Sequence, residues 1–277
     1  MLSALAALPL SQAQNANDGS IHWAYAAYFG TGRYEIDNAE STYTLNFAPS
    51  WEWRESSLDE TGKPKLGYTF RLPIATSVHD FDTNSLLDNV ELSNVSTFSV
   101  VPGVEIEIPM SARWTLKPMV HFGQGQDLGG SSRAWIHWLG IKSRLEFRAG
   151  QTDWTIVNAL TEVGYSPNAG RSGRIVPLLT GFEFRRPLKN KRIGEDPAYL
   201  NWHVSYTNYL NQPVLVRDAA HVADISDEWE LGIGFSKGDA KLKFWRLSLD
   251  QVGLAYRFDS DGGLSGIGVV FKSLFER

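Results

Sequence analysis

The chain contains no cysteine among its 277 residues, which removes disulfides, thiolate metal sites and a cysteine nucleophile from consideration. After its first ten positions it also lacks any run near the roughly 18 apolar residues that a membrane helix needs. There is no basic surplus: 26 Lys and Arg stand against 31 Asp and Glu, a net charge of −5. The basic residues are spread along the chain, so nucleic-acid binding is not expected. Metal-ligand spacings, phosphate-binding glycine loops and nucleophile elbows are missing as well, and no metal or cofactor is expected.

Aromatic residues and glycine are plentiful. Aromatics make up 12% of the chain, with ten Trp and 25 Gly, while mean hydropathy is slightly negative. The apolar run at residues 1–10 is too short to span a bilayer and reads as a signal-peptide core, with Ser11 and Ala13 as the small residues before cleavage. The expected organisation is a signal peptide over 1–13, shortened at its start because a basic leader is missing, and one domain over 14–277. A frayed apolar terminus or a buried helix is the other reading of the same run.

A chain without membrane helices can occupy a bilayer only as a closed barrel, which satisfies every backbone hydrogen bond between strands. Its signature is period-two alternation, apolar outward and polar or small inward. In residues 228–236, Trp229, Leu231, Ile233 and Phe235 oppose Glu230, Gly232, Gly234 and Ser236. In 250–258, Val252, Leu254, Tyr256 and Phe258 oppose Gln251, Gly253, Ala255 and Arg257, and in the last segment Ile267, Val269, Phe271 and Phe275 oppose Gly266, Gly268 and Lys272. The same rule runs back through Leu200 to Tyr206, Val176 to Phe184, Trp135 to Phe147, Trp114 to Phe122, Phe98 to Ile106, Leu66 to Ile74, Tyr43 to Trp53 and Ile21 to Phe29. Only 153–165 is muddled, by Trp154 and Ile156.

The pattern predicts an all-β, transmembrane, antiparallel up-and-down barrel of about twelve strands, an even number that returns the chain to the side it entered. Residues 78–97, 124–131, 167–173 and 212–227 fall on the external side and 109–113 on the periplasmic side. Three periplasmic connections, 55–64, 186–197 and 237–249, are longer than such turns usually are. A soluble sandwich or lipocalin-like barrel also alternates, but aromatics near strand ends and charges of both signs on the opposite face favour the membrane barrel.

The final strands, Val252 to Phe258 and Gly266 to Phe271 with Phe275 beyond, resemble the closing strands of autotransporter β-barrel domains. The segments 101–109 and 114–118 are similar, more narrowly, to solitary outer-membrane autotransporter-like barrels. The resemblance covers the mature chain in length and strand count. It implies residence in the cell outer membrane among lipid and lipopolysaccharide, and an assembly signal read by the barrel-assembly machinery at Gly268, Phe271 and Phe275. Ser273 stands where a second aromatic is usual, and Glu276 and Arg277 follow Phe275. Family members carry a passenger and a helix through the lumen. Here about half a dozen residues separate the expected cleavage from the first strand, so a complete chain would have no passenger and would not secrete itself.

Catalytic constellations are thin. His203 and Ser205 resemble the pair of barrel lipid deacylases, since a His can activate a Ser hydroxyl, but parity turns them away from lipid. His79, Asp80 and Asp82 in an external loop resemble the Asp/His placement of rim proteases, with a solvated acidic loop as the plainer reading; Asp80, Asp82 and Asp88 could also meet divalent cations but lack a recognised ligand spacing. No catalytic residue is assigned, and a lipid or peptide hydrolase at the rim is the alternative function. The polar set expected to face the lumen is Glu52, Arg54, Arg71, Glu105, Glu107, Lys117, His121, Lys142, Arg144, Glu146, Arg148, Glu183, Arg185, Glu230, Arg257 and Lys272. In a barrel this narrow such a set either cross-links the lumen shut or lines a thin aqueous path, and whether Arg144, Glu146 and Arg148 close it separates the two. The expected role is structural or that of a narrow channel.

Overall fold

The computed structural model describes residues 30–36, 41–79, 95–128, 132–168, 172–211, 214–218, 221–237, 242–244 and 247–276. None of these is helical. Twelve strands cross the wall: β1 (Gly32–Ile36), β2 (Ser41–Phe47 and Ser50–Arg54), β3 (Gly67–Arg71 and Ile74–His79), β4 (Val95–Val100 and Gly103–Ser111), β5 (Trp114–Asp127), β6 (Arg133–Ala149), β7 (Thr152–Pro167), β8 (Gly173–Ile175 and Pro177–Ile193), β9 (Asp196–Tyr209), β10 (Asp227–Ser236), β11 (Val252–Phe258) and β12 (Leu264–Val270). Each pairs antiparallel with the next, and β1 closes on β12 with Arg33 opposite Ile267. Closure removes the edge strands that an open sheet would expose.

Alternation fixes which face is which. On β11, Leu254 is 57% exposed and Ala255 4%, and on β12 Ile267 is 59% exposed between buried Gly266 and Gly268. The exposed large apolar residues run round the outside, from Val120 and Phe122 through Leu139 and Ile141 to Leu231 and Ile233. Water would not tolerate a continuous apolar belt of this extent, whereas a bilayer requires one. The fold is that of an outer-membrane barrel.

The connections sort into two ends. One, the loop end, holds the connections around residues 37–40, 80–94, 128–132, 168–172, 210–226 and 259–263. The other holds those around 55–66, 112–113, 150–151, 194–195 and 237–251, together with the segment after β12. Two of the long connections fold into small hairpins, Ser57–Leu58 with Pro64–Lys65 and Leu242–Phe244 with Leu247–Leu249. The third is not a loop: β8 and β9 both extend through it, and the turn is only Gly194 and Glu195, with Gly194 at φ 65°. Alternation cannot reveal this extension, because strand beyond the bilayer needs no apolar face and a bulge between Pro187 and Arg192 breaks its parity. The strand expected at 21–29 and the signal segment 1–13 lie outside the described residues, as do Asp80, Asp82, Asp88 and the side chain of His79.

Three neighbouring strands break at one level. Pro49, Pro73 and Pro102 interrupt β2, β3 and β4, and their carbonyls accept from the amides of Leu72, Val101 and Phe122, each at 2.9 Å. Proline has no amide to donate, so the ladder creases along this line. Val101 turns inward over Gly123 of β5 and is fully buried. A Cβ on Gly123 would press into the Val100 carbonyl and the Val101 backbone. Gly123→Val is therefore expected to cost about 1–3 kcal/mol by overpacking, read as a lower temperature for the heat-dependent gel shift of the folded barrel. An unchanged transition would show that the crease yields.

Candidate functional site

The interior is built in tiers. Near the loop end an apolar cluster crosses the lumen: Tyr34, Val101, Ala134, Ile136, Val163, Tyr165, Ile175, Tyr209, Ile225 and Leu264, drawn from walls all round the barrel. This explains the muddled alternation of β7, whose inward side carries Val157, Val163 and Tyr165 while Asn158 and Glu162 point outward. A wall strand that faces an apolar fill loses the polar parity of its lumen side.

Beside this cluster, on β9 to β11 and β1, lies a first charged group. His203 Nε2 is 2.5 Å from Glu230 Oε1, Arg257 Nε donates to Glu230 Oε2, and Tyr209 donates to Glu228 at 3.3 Å. The His203 ring lies across Gly232, where a Cβ would collide with it. His203 and Ser205 are both buried in the lumen, and Trp202 takes the outer face. The imidazole is thus engaged with a carboxylate and directed away from lipid.

The second group lies on β3 to β6. Glu105 is fully buried, with Arg71 at 3.1 Å, His121 at 3.5 Å and Lys117 at 3.7 Å, and Lys117 also reaches Glu107 at 2.9 Å. Neither Glu105 oxygen has an aligned hydrogen-bond donor in the described structure. Arg71, Lys117 and His121 together compensate this buried carboxylate, so loss of a cationic neighbour exposes the desolvation cost of what remains.

The segment after β12 completes this group. The sequence pattern places Phe275 on the lipid side; instead residues 271–276 turn back into the lumen, with Leu274 and Phe275 buried against Val157 and Leu179. Glu276 reaches Lys117 at 2.6 Å and Arg71 at 3.3 Å. Lys117 and Arg144 lie over the Phe275 ring, 4.3 and 4.5 Å from its centroid. Lys142 donates to the Phe275 carbonyl at 3.4 Å, the Leu274 amide to Glu183 at 2.8 Å, and Lys272 to the Ala48 carbonyl at 2.8 Å. A Cβ on Gly181 would come 2.5 Å from Leu274 Cδ1, so glycine leaves the room that this return segment occupies. Burial alone would raise the Glu276 carboxyl, but Lys117 and Arg71 outweigh it and hold it well below the usual carboxylate range.

The structure thus brings Arg71, Glu105, Glu107, Lys117, His121, Lys142, Arg144, Glu183 and Lys272 around the return segment, and gathers Glu230 and Arg257 with His203 at the other wall. Arg185 pairs with Asp153 at 3.2 Å. Glu52 and Arg54 are exposed; a bulge between them reverses parity, and Arg54 lies outward over the Tyr68 ring at 4.8 Å. Glu146 and Arg148 sit exposed at the rim, Arg148 beside Asp153 at 3.5 Å, so of the three residues expected to close the lumen only Arg144 reaches the return segment. Gly268 is on β12, and Phe271 and Phe275 lie past its end. The residues missed are Glu276, Leu274, Glu228, Tyr34 and Tyr209. One signal was present for Glu276: the inward set drawn from alternation carries more cations than anions.

No family model and no curated protein matches the chain. Its fold is that of autotransporter translocator domains. The translocator domain of autotransporter NalP from Neisseria meningitidis superposes with a TM-score of 0.56 at 12% identity, over 87% of this chain and 85% of that one. The beta domain of the Bordetella autotransporter BrkA gives 0.53 at 10% identity, over 86% and 91%.

Proposed function

We propose that the chain is a closed, non-catalytic barrel of the autotransporter-like type in the outer membrane, with a structural role and no conducting path. The observation that carries this reading is the interior filling: an apolar cluster near the loop end and, toward the other end, a segment of the chain's own backbone bound among buried charges. A conducting lumen requires a continuous file of water past groups that bind solute weakly, and here the charged groups that would line such a file are paired in charge with one another or with the return segment. The charges serve as internal cross-links. The loop end faces outside and the return segment lies at the periplasmic end, where the assembly machinery would meet it, with lipid and lipopolysaccharide around the wall.

Planar-bilayer recording tests this. The refolded protein is expected to insert, as judged by resistance of the unheated barrel to SDS, and to stay electrically silent. Regular unit steps of current from the unaltered chain would overturn the closed-barrel reading in favour of the narrow channel.

A further inference from the structure

The outer wall is largely apolar, but it carries ionisable groups at the Arg33–Glu35 pair of β1, 2.6 Å apart, and in a larger group across β6 to β8. Here three ionisable side chains share the outward face: His137 of β6, Glu162 of β7 and Arg174 of β8. The His137 ring lies across Gly164, opposite it in register, where a Cβ would come 2.5 Å from the ring. His137 Nε2 and Arg174 Nη1 each stand 3.6 Å from a Glu162 oxygen. Ionisable groups on a lipid-facing wall are costly, and their presence marks function by default.

Their depth is informative. On β6, His137 lies two residues further into the wall than Trp135, which stacks on Phe122 with ring centroids 5.1 Å apart and is half exposed. Outward aromatics of this kind settle at headgroup level, so His137 and Arg174, both opposite Gly164, lie just inside that level, where a long side chain can reach the headgroups. Glu162, opposite Leu139, lies two residues deeper beneath them. Neither cation closes to hydrogen-bond distance on Glu162, and among the described residues neither has another acceptor within that range. Glu162 therefore orients both donors without consuming them. Arg174 is the most open of the three, its side chain 66% exposed, and a guanidinium presents paired donors that match a phosphate.

We propose that His137, Glu162 and Arg174 form a docking site for the phosphate of a glycolipid headgroup in the leaflet at the loop end. Arg174 forks onto the phosphate, His137 donates to it from the side, and Glu162 holds both in place. The choice of a glycolipid rests on the proposed outward orientation of the loop end, since glycolipid fills the outer leaflet of that membrane.

The test uses the full chain in nanodiscs and, as probes, bisphosphorylated lipid A, dephosphorylated lipid A and phosphatidylglycerol vesicles. Replacing Arg174→Gln with His137→Gln is expected to weaken lipid A binding at least about tenfold, as expected for lost charge-assisted contacts, while Arg186→Gln with Lys189→Gln at the other end leaves it unchanged. Dephosphorylated lipid A should bind the unaltered chain as weakly as lipid A binds the double variant. Equal loss in the control pair, or undiminished binding without phosphate, would overturn the site; equal affinity for phosphatidylglycerol would overturn the glycolipid. A Leu128→Cys side chain at the loop end, unique in a cysteine-free chain, should label from outside intact cells. Failure to label with lipid A binding intact would overturn the orientation and, with it, glycolipid as the occupant, whereas labelling with no discrimination between probes would overturn the site alone.

Discussion

A Val157→Cys side chain will react with a hydrophilic maleimide about 100-fold more slowly in the intact barrel than in one whose return segment has been displaced, because a buried group reacts only through local opening. Val157 is fully buried and packs with Leu274 and Phe275, and the chain has no other thiol to confuse the reading. Displacement needs no truncation. Gly181→Val pushes on Leu274 from the wall, and Glu276→Gln removes the anion that Lys117 and Arg71 hold. Either change should raise the rate, and together they should raise it most. Equal rates in the intact and doubly altered barrels, with the gel shift preserved in both, would show that the return segment does not guard this end of the lumen.

Lys117→Met should be the most damaging single substitution in the interior. Its ammonium serves Glu105, Glu107 and Glu276 and sits over the Phe275 ring. Removing one partner of a buried ionic group typically costs about 3–5 kcal/mol, because the surviving charges remain desolvated. Methionine keeps much of the volume, so packing contributes little to the loss. The decisive measurement is a double-mutant cycle with Glu276→Gln, followed by urea unfolding in detergent. If Lys117 stabilises chiefly by compensating carboxylates, part of its loss should vanish when one carboxylate is already neutral, giving a coupling of about 0.5–3 kcal/mol. Strict additivity would place its contribution elsewhere.

The wall was legible from the sequence and much of the filling was not, for a physical reason. Lipid imposes one demand on every outward position, so Leu231 to Phe235 or Val252 to Phe258 disclose their face by alternation alone. Residues such as Glu105 and Lys117 are legible as inward by the same rule. What they touch depends on cross-barrel distances, which no local pattern contains. Arg54 changed face because one bulge residue shifts parity. Residues 186–193 hid a strand because nothing outside the bilayer asks it to alternate. Phe275 misled because an aromatic of the right parity after a strand looks like its continuation; only the polar pair Lys272 and Ser273 before it, and Glu276 after it, hint that the chain has left the wall. Of the trio at His137, Glu162 and Arg174, only Glu162 lies on the stretch whose pattern was unclear; His137 interrupts a strand that otherwise alternates cleanly, and Arg174 falls between a loop and the strand whose alternation begins at Val176.

The three prolines that crease β2, β3 and β4 carry a consequence for assembly. Sliding any of these strands by one residue would set a proline nitrogen against a carbonyl that needs a donor, on strands flanked on both sides. It would also turn the apolar face of that strand into the lumen. Pro49, Pro73 and Pro102 thus act as a stop against one-residue slips of β2, β3 and β4, and fix the stagger of this part of the wall.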